Sequence, residues 1–225
     1  MNKGIFPQIK ICGLTRVDEA VGCVECGVDA IGLMFFPKSS RYVSDERALE
    51  ISTAVSGDVK TVGVFVNATY DEIMRKVDVC RLSVVQLHGQ EPPDLVRRLS
   101  ENRIPVIKVL FVDGTPSLSK ADDYTASAFL VECGKGPLPG GNALTWNWRS
   151  TKDFGLKYSL ILAGGLSSEN VFEAVSDALP IAVDVSSGVE KSPGRKDIQK
   201  VAAFTAAVMK CRSLLLNKKG NAPVF

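Results

Sequence analysis

The chain contains a single histidine, His88, among its 225 residues. Zinc sites in proteins usually combine several histidine and cysteine ligands, so one histidine excludes most of their ligand sets. Six cysteines are present, but the one Cys-x-x-Cys pair, Cys23 and Cys26, has no second pair to complete a metal site. We therefore expect no metal site, and we expect this pair to pack within a helix.

Long apolar runs and clusters of one charge sign are also missing. No apolar stretch approaches the ~18 residues of a membrane span, and residues 1–8 lack the apolar core of a signal peptide. Basic residues are scattered and the net charge is only +2, which gives no support for a nucleic-acid partner. Without a span, an export signal or a disulfide-type cysteine pattern, we expect a cytoplasmic protein.

Eight short aliphatic runs recur at roughly even spacing along the chain. Each is apolar almost throughout, which is typical of parallel strands that are buried on both faces. The predicted strands are Gln8–Cys12, Ala30–Met34, Thr61–Phe65, Val84–Leu87, Val106–Val109, Phe129–Val131, Ser159–Ala163 and Ala182–Val185.

Amphipathic segments separate most of these runs. Thr15 with Asp18 and Thr69 with Glu72 have capping-box spacing, and Ser44 is placed to cap a third segment. The main predicted helices are Val17–Cys26, Asp45–Ala54, Tyr70–Val77, Asp94–Asn102, a segment that Ser167 or Ser168 can cap and that ends at Val175, and Asp197–Cys211.

Eight strand–helix units in a chain of this length predict an α/β fold, a single (β/α)8 TIM barrel. The alternative is a doubly wound open sheet, which usually carries a glycine-rich turn after its first strand. The segment 12–16, Cys-Gly-Leu-Thr-Arg, lacks that turn. We predict that the barrel spans residues 1–216 and that residues 217–225 form a frayed tail.

Catalytic groups of such barrels lie at the C-terminal ends of the strands. Lys10 and Cys12 share one strand face, and a nearby ammonium favours a thiolate. Gly13 leaves room for a ligand above the sulfur. Glu132 ends the sixth strand, where a desolvated carboxyl group can act as a general acid. Purely structural roles for Cys12 and Glu132 remain open at this point.

Other polar residues also follow strand ends. Arg41 is either a fork for a carboxylate or a solvated surface residue. Gln86 and His88 share a face, and a lone histidine is more often a hydrogen-bonded structural residue than a catalyst. Asp184 is suited to bind a sugar hydroxyl or to organise the loop that follows it.

The loops after the seventh and eighth strands have the composition of a phosphate site. Gly164 and Gly165 allow backbone N–H groups to approach an anion closely, and Ser186, Ser187 and Gly188 add hydroxyl and backbone donors. These two loops form the usual phosphate site of (β/α)8 barrels. The sequence therefore predicts a phosphate-bearing small-molecule ligand.

Taken together, these segments resemble the phosphoribosylanthranilate isomerase family, whose barrel is of the ribulose-phosphate-binding type. The matching pieces cover nearly the whole chain in the family's order. They are 10–15 (KICGLT), 32–42 (GLMFFPKSSRY), 63–67 (GVFVN), 86–89 (QLHG), the pair Gly140-Gly141, 163–166 (AGGL) and 184–190 (DVSSGVE).

The resemblance implies an Amadori rearrangement in tryptophan biosynthesis, carried out without a cofactor. It implies that Cys12 is the general base and Glu132 the general acid. It also implies that Arg41 holds the anthranilate carboxylate, with His88 and Asp184 as further substrate contacts. Gly164, Gly165, Ser186, Ser187 and Gly188 bind the phosphate by the same resemblance. The oligomeric state, monomer or homodimer, stays open.

Two features depart from the family pattern. The family's acid is an aspartate, and Glu132 is longer by one methylene. The segment from Gly140 to Trp148 matches the family loosely, with Asn147 in place of an expected aspartate. The alternatives are a related phosphosugar enzyme, such as indole-3-glycerol-phosphate synthase or a bifunctional isomerase, and a non-catalytic phosphosugar-binding barrel.

Overall fold

A computed structural model of the chain describes residues 7–55, 57, 59–134, 145–211 and 224–225. The loosely matching segment around Gly140-Gly141 and residues 217–223 of the predicted tail lie outside the described residues. Nothing in the described ranges divides the chain into two units that could fold separately, because one closed sheet incorporates strands from Gln8 to Val185.

Eight parallel strands close into a barrel in the order of the sequence, and the first pairs with the eighth. This closed order confirms the (β/α)8 prediction and rules out the open doubly wound sheet. The strands are β1 (Gln8–Cys12), β2 (Ala30–Met34), β3 (Lys60–Phe65), β4 (Val84–Leu87), β5 (Val106–Phe111), β6 (Ala128–Glu132), β7 (Leu160–Leu162) and β8 (Ala182–Val185).

Helices cover the outside of the barrel. They are α1 (Val17–Glu25), α2 (Asp45–Ala54), α3 (Tyr70–Val79), α4 (Pro93–Glu101), α5 (Lys152–Lys157), α6 (Val171–Ala178) and α7 (Ile198–Met209). Short 3-10 segments at Leu118–Asp123, Trp148–Thr151 and Ser187–Val189 complete the connections, and a small hairpin, β9 (Glu190–Ser192) and β10 (Arg195–Lys196), precedes α7. None of the helices within the described ranges is long and apolar enough to cross a bilayer.

Helix starts agree with the sequence at two positions and differ at two others. Ser44 caps α2, and Thr69 forms a full capping box with Glu72 at α3. Thr15 does not cap α1: its hydroxyl donates to the carbonyl of Gly194 at 2.7 Å, and Arg16 takes the N-cap position. The Thr15 side chain, which has capping-box spacing to Asp18, therefore bonds to a residue 179 positions away instead of capping the helix.

The helix before the eighth strand also begins later than a serine cap would place it. The sequence offered Ser167 or Ser168 as the cap, but α6 begins after Asn170, which makes no side-chain cap. The Asn170 amide instead bonds to the preceding loop, with its oxygen accepting from the backbone N–H of Ser167.

Two apolar layers hold the barrel together. The outer layer lies between strands and helices, and the inner layer fills the barrel with small and branched side chains. Because side chains alternate along a strand, inner and outer residues alternate as well. The inner residues are Ala30, Val62, Val84, Ile107, Val109, Phe111, Ala128, Leu130, Ile161, Ala163 and Ala182.

The N-terminal end of the barrel is closed by the last two residues of the chain. Val224 and Phe225 pack against the inner layer, and the Gln8 side chain donates to the carbonyl oxygen of Phe225 at 2.8 Å. Gln8 Oε1 in turn accepts from the backbone N–H groups of both residues. The chain's own residues therefore fill this end of the barrel.

Candidate active site

Several polar side chains interrupt the apolar filling of the barrel at its C-terminal end. On β4, Gln86 and His88 have the same parity as the inward-facing Val84, and on β6 Glu132 has the parity of Leu130. Cys12 packs at the same level as the inner residues of β2 and β3. The structure thus brings Cys12, His88 and Glu132 to one end of the barrel, as the sequence predicted.

A buried ion pair lies beneath Cys12. Lys10 Nζ donates to Asp184 Oδ1 at 2.7 Å, and the Lys10 side chain is fully shielded from solvent. The two residues face each other because β1 and β8 are paired with Lys10 opposite Asp184. A buried cation needs such a partner, since an unpaired charge in the interior is costly. The pair therefore fixes both side chains below the sulfur.

The protonation of Cys12 reflects two opposing influences. Burial raises the pKa of the thiol, and the ammonium group of Lys10 counteracts this shift only in part. Burial by itself lowers the pKa of Lys10, but the charges of Asp184 and Cys12 outweigh it, so the net shift of Lys10 is upward. The expectation that Lys10 favours a thiolate is right in direction, yet burial dominates the outcome.

Two glycines near Cys12 make room for neighbouring side chains. A Cβ atom at position 32 would lie 2.7 Å from Cys12 Sγ and 3.2 Å from Lys10 Nζ. The lack of a side chain at Gly32 therefore leaves the space that Cys12 and Lys10 need. The space at Gly13, which has a positive φ of 79°, is filled by the Arg41 side chain. Glycine at position 13 therefore makes room for Arg41. The expectation that Gly13 also leaves room for a ligand above the sulfur stays a prediction.

Glu132 is connected to the fourth strand by a chain of buried hydrogen bonds. His88 Nε2 lies 3.0 Å from Glu132 Oε1, and His88 Nδ1 lies 3.1 Å from Gln86 Nε2. Glu132 and His88 are both largely buried, with side-chain exposures of 11% and 8%. The sequence placed Gln86 and His88 on one face, but it gave no sign that Glu132, 44 residues away, contacts the histidine.

The loop that carries His88 is held by a second buried ion pair. Lys108 Nζ lies 2.7 Å from both Glu91 Oε2 and the carbonyl oxygen of Gly89. Glu91 also accepts from the backbone N–H groups of Gly89 and Asn67. These bonds hold the backbone of Gly89, the residue after His88, and that of Asn67 in the neighbouring loop. They therefore restrain the backbone that orients the His88 side chain.

Arg41 is anchored by an acidic partner on the eighth loop. Its Nε and Nη2 atoms donate to the two carboxylate oxygens of Glu190 at 2.8 and 2.7 Å, and Lys196 Nζ also donates to Glu190 Oε1 at 2.8 Å. Glu190 raises the pKa of Arg41. Burial favours the protonated form of Glu190, but its two cationic partners outweigh it and hold the pKa of Glu190 low.

Lys196 is a site residue that the sequence did not single out. It is almost fully buried and also donates to the carbonyl oxygen of Ser186 at 3.1 Å. Burial lowers the pKa of Lys196 in spite of the attraction of Glu190. The sequence does show a lysine shortly after the Pro193-Gly194 turn. Its inward orientation, however, depends on the β9–β10 hairpin, which the sequence analysis did not predict.

The two loops predicted to bind phosphate lie against each other. Gly164 and Gly165 have positive φ values of 86° and 68°, and a side chain at Gly188 would collide with the carbonyl oxygen of Leu166. Glycine is therefore required for the contact between the loops. Asn170 supports the first loop, because its Nδ2 donates to the carbonyl oxygen of Gly165 at 2.8 Å.

The serines of the second loop have different surroundings. The Ser186 hydroxyl donates to the carbonyl oxygen of Cys12 at 3.0 Å, which ties this loop to the end of β1. Ser187 begins the short 3-10 segment that includes Gly188. No three His, Cys, Asp or Glu side chains converge on a metal position in the part of the chain that the structure describes.

Comparison with known proteins gives one consistent result. The family model for N-(5'phosphoribosyl)anthranilate (PRA) isomerase matches residues 9–207. The chain is 50% identical to the N-(5'-phosphoribosyl)anthranilate isomerase of Desulfatibacillum aliphaticivorans over 197 residues, which cover 88% of this chain and 90% of that one. It is 42% identical to the isomerase of Geobacter sp. (strain M21), over 90% of this chain and 98% of that one.

Solved structures agree with the sequence relatives. The phosphoribosyl anthranilate isomerase of Thermotoga maritima superimposes with a TM-score of 0.84 at 38% identity, covering 91% of this chain and 99% of that one. A structure of that isomerase type in complex with reduced 1-(o-carboxyphenylamino)-1-deoxyribulose 5-phosphate gives a TM-score of 0.81 at 37% identity over the same shares of the two chains.

Proposed function

The chain belongs to the N-(5'-phosphoribosyl)anthranilate isomerase family, and from this premise we propose how its residues divide the work of the reaction. The enzyme converts N-(5'-phosphoribosyl)anthranilate to 1-(2-carboxyphenylamino)-1-deoxyribulose 5-phosphate in tryptophan biosynthesis. The observation that carries the proposal is that Cys12, Glu132, Arg41 and the loops after β7 and β8 share one end of the barrel.

Glu132 is the general acid of the proposed mechanism. It protonates the furanose ring oxygen, the bond between C1′ and that oxygen breaks, and the nitrogen lone pair forms a C=N double bond. Cys12 then removes the proton from C2′, and the electron pair of that C–H bond forms the enolamine. Tautomerisation of the enolamine gives the ketone product. The two groups stand on strands separated by β7 and β8, so the substrate lies between them.

The base role of Cys12 requires its thiolate. Its raised pKa means that the thiolate is a minor form at neutral pH but a stronger base once formed. Lys10 and Lys196 are the two cations that favour the thiolate. The ion pair of Lys10 with Asp184 keeps that ammonium in place beneath the sulfur.

Arg41 binds the anthranilate carboxylate in this proposal. Glu190 accepts hydrogen bonds from Nε and from one N–H of Nη2. An N–H of Nη1 and the second N–H of Nη2 then form a second pair of parallel donors. A fork of this type matches a carboxylate in two parallel hydrogen bonds. Glu190 therefore orients Arg41 and leaves its binding edge free.

The phosphate group binds to the loops after β7 and β8. Backbone N–H groups of Gly164, Gly165, Ser187 and Gly188 are the proposed donors, since glycines there allow close approach. The Ser186 hydroxyl is already engaged with Cys12, so the backbone N–H of Ser186 is its proposed contribution.

Asp184 and His88 complete the sugar subsite. Asp184 uses Oδ1 for Lys10, and we assign its second oxygen to a sugar hydroxyl. Both ring nitrogens of His88 already have protein partners, so its main effect on the substrate passes through Glu132. Anchoring the substrate at its carboxylate and its phosphate places C2′ and the ring oxygen between base and acid.

Location and assembly belong to the proposal as well. All six cysteines are free, which suits a reducing compartment such as the cytoplasm. The Thermotoga maritima relative is described as a dimer with monomeric variants, so either a monomer or a homodimer fits this chain. Light scattering on the purified protein distinguishes the two states.

Turnover of freshly made N-(5'-phosphoribosyl)anthranilate tests the proposed base. Loss of anthranilate-type fluorescence is followed for the wild type and for Cys12→Ala, with Cys133→Ala as a matched buried-cysteine control. We expect the Cys12 variant to lose about 10²-fold or more in kcat and the control to stay near wild type. Turnover by Cys12→Ala at the wild-type rate rules out the base assignment, and a folded wild type that binds phosphosugar without turnover indicates a non-catalytic barrel.

A further inference from the structure

The amide of Gln86 lies in the interior of the barrel, directly below the histidine that contacts the proposed acid. Its neighbours in register on the adjacent strands are Val64 and Ile107, which offer it no polar group. Gln86 is fully buried, and its one side-chain hydrogen bond within the described part of the chain joins Nε2 to His88 Nδ1 at 3.1 Å. The amide oxygen of Gln86 is also buried, and it has no hydrogen-bond partner among the described residues.

The orientation of this amide decides where the proton of His88 lies. With Nε2 facing the ring, Gln86 donates, so His88 Nδ1 has to accept and carries no proton. The opposite orientation would bury the whole amide NH₂ group without a partner. Buried N–H groups are left unpaired more rarely than carbonyl oxygens, so the donating orientation is favoured.

The position of that proton in turn determines which oxygen of Glu132 is available for chemistry. A neutral His88 with its proton on Nε2 donates to Glu132 Oε1 at 3.0 Å. The acidic proton of Glu132 then belongs on the other oxygen, Oε2, for which no hydrogen-bond partner is found among the described residues and which is the oxygen we assign to the substrate. With the proton on Nδ1 instead, Nε2 would accept the Glu132 proton and hold it away from the ring oxygen.

We propose that Gln86 is a positioning residue that fixes His88 as the Nε2–H tautomer and thereby directs the acidic proton of Glu132 to the substrate. The inference rests on the proposed role of Glu132 as the general acid. Among the described residues the Gln86 amide hydrogen-bonds only to His88, so we expect it to affect proton transfer without binding the substrate. Within the part of the chain that the structure describes, the amide has no other partner, which fits a residue whose polar group orients the histidine.

Nuclear magnetic resonance of the full-length protein labelled with ¹⁵N-histidine tests the tautomer directly. His88 is the only histidine, so a long-range ¹H–¹⁵N spectrum contains one imidazole. We expect Nε2 to have the shift of a protonated, pyrrole-type nitrogen and Nδ1 that of an unprotonated, pyridine-type nitrogen. The reverse pattern in the wild type overturns the proposal. No substrate is needed, so this result is independent of whether the enzyme turns over.

A substitution shows whether Gln86 is the cause. Gln86→Met removes the donor at similar length, and Gln8→Met is the matched control, a buried glutamine at the other end of the barrel. We expect the two ring nitrogen shifts of Gln86→Met to move towards each other, because both tautomers become populated, while the control keeps the wild-type pattern. An unchanged pattern in folded Gln86→Met overturns the proposal. If that variant does not fold, the wild-type spectrum still decides.

Kinetics provide the second readout. We expect kcat of Gln86→Met to fall about tenfold, a part of the roughly 10²–10⁴-fold that a positioned general acid contributes, while KM stays within about twofold. A rise in KM with kcat unchanged would assign Gln86 to substrate binding and contradict the proposal.

Discussion

The guanidinium group of Arg41 and the carboxylate of Glu190 form a two-point ion pair across 149 residues of sequence, with distances of 2.8 and 2.7 Å. The pair joins the loop after β2 to the start of the β9–β10 hairpin. Lys196 contacts the same carboxylate, so two cations share one anion. The orientation of Arg41, the residue we propose for the substrate carboxylate, and the geometry of the eighth loop are therefore coupled through Glu190.

Replacing Glu190 with glutamine tests this coupling. The shape is retained, but Arg41 and Lys196 lose their common counter-charge in a largely buried position. We expect the free energy of unfolding to fall by about 3 kcal/mol, as when one partner of a buried pair is removed. We also expect KM to rise about tenfold, because Arg41 is no longer held in the orientation that presents its free edge. Urea denaturation and steady-state kinetics measure the two effects.

The control for this variant is Glu50→Gln. Glu50 pairs with Arg47 on the exposed face of α2, where both side chains are at least half exposed. Surface pairs of this kind contribute only about 0–1 kcal/mol, so stability and KM should barely change. Equal effects of the two substitutions would show that Glu190 has no special role.

Gly188→Ala is expected to damage phosphate binding. An added methyl group meets the carbonyl oxygen of Leu166, so the loops after β7 and β8 have to move apart. We expect weaker inhibition by inorganic phosphate and a KM at least about tenfold higher, because the donors of two loops no longer converge on one anion.

Gly27→Ala is the comparison for that variant, since it has a positive φ of 81° but open space around it. It introduces backbone strain of about 1 kcal/mol far from the loops and should leave phosphate inhibition unchanged. If phosphate inhibited Gly188→Ala as strongly as it inhibits the wild type, the proposal that the two loops bind phosphate would be wrong.

The alkylation rate of Cys12 should depend steeply on pH. Burial raises the pKa of this thiol, and iodoacetamide reacts with the thiolate. Because the thiolate fraction grows about tenfold per pH unit below the pKa, the rate should keep rising beyond pH ~8.5, where an ordinary thiol begins to level off. Mass spectrometry of the peptide that contains Cys12 follows the reaction. A plateau below about pH 8 would mean that Lys10 outweighs burial.

Local patterns in the sequence were enough to predict the barrel. Strands such as β1 and β2 are apolar runs bounded by polar segments, and their predicted limits agree with the structure. Ser44 and Thr69 cap helices whose first residues also follow from local spacing. The β9–β10 hairpin was missed, because strands of three and two residues around a Pro-Gly turn give little periodicity.

Contacts between distant segments account for what the sequence did not predict. Thr15 bonds to Gly194 instead of capping α1, and Arg41 fills the space over Gly13. The His88–Glu132 contact depends on where β4 and β6 place their ends, which alternation within one strand cannot reveal. Alternation did place Gln86 beside His88, and that part of the site is therefore readable from sequence.

The most direct test of the proposed mechanism is a kcat comparison of Glu132→Gln and Glu132→Asp with the wild type on N-(5'-phosphoribosyl)anthranilate. Glutamine preserves the shape and accepts the His88 hydrogen bond but has no acidic proton, so kcat should fall by about 10²-fold or more. Aspartate keeps the carboxyl group and should retain much more of the activity. Glu132→Gln turning over at the wild-type rate would contradict the assignment of Glu132 as the acid.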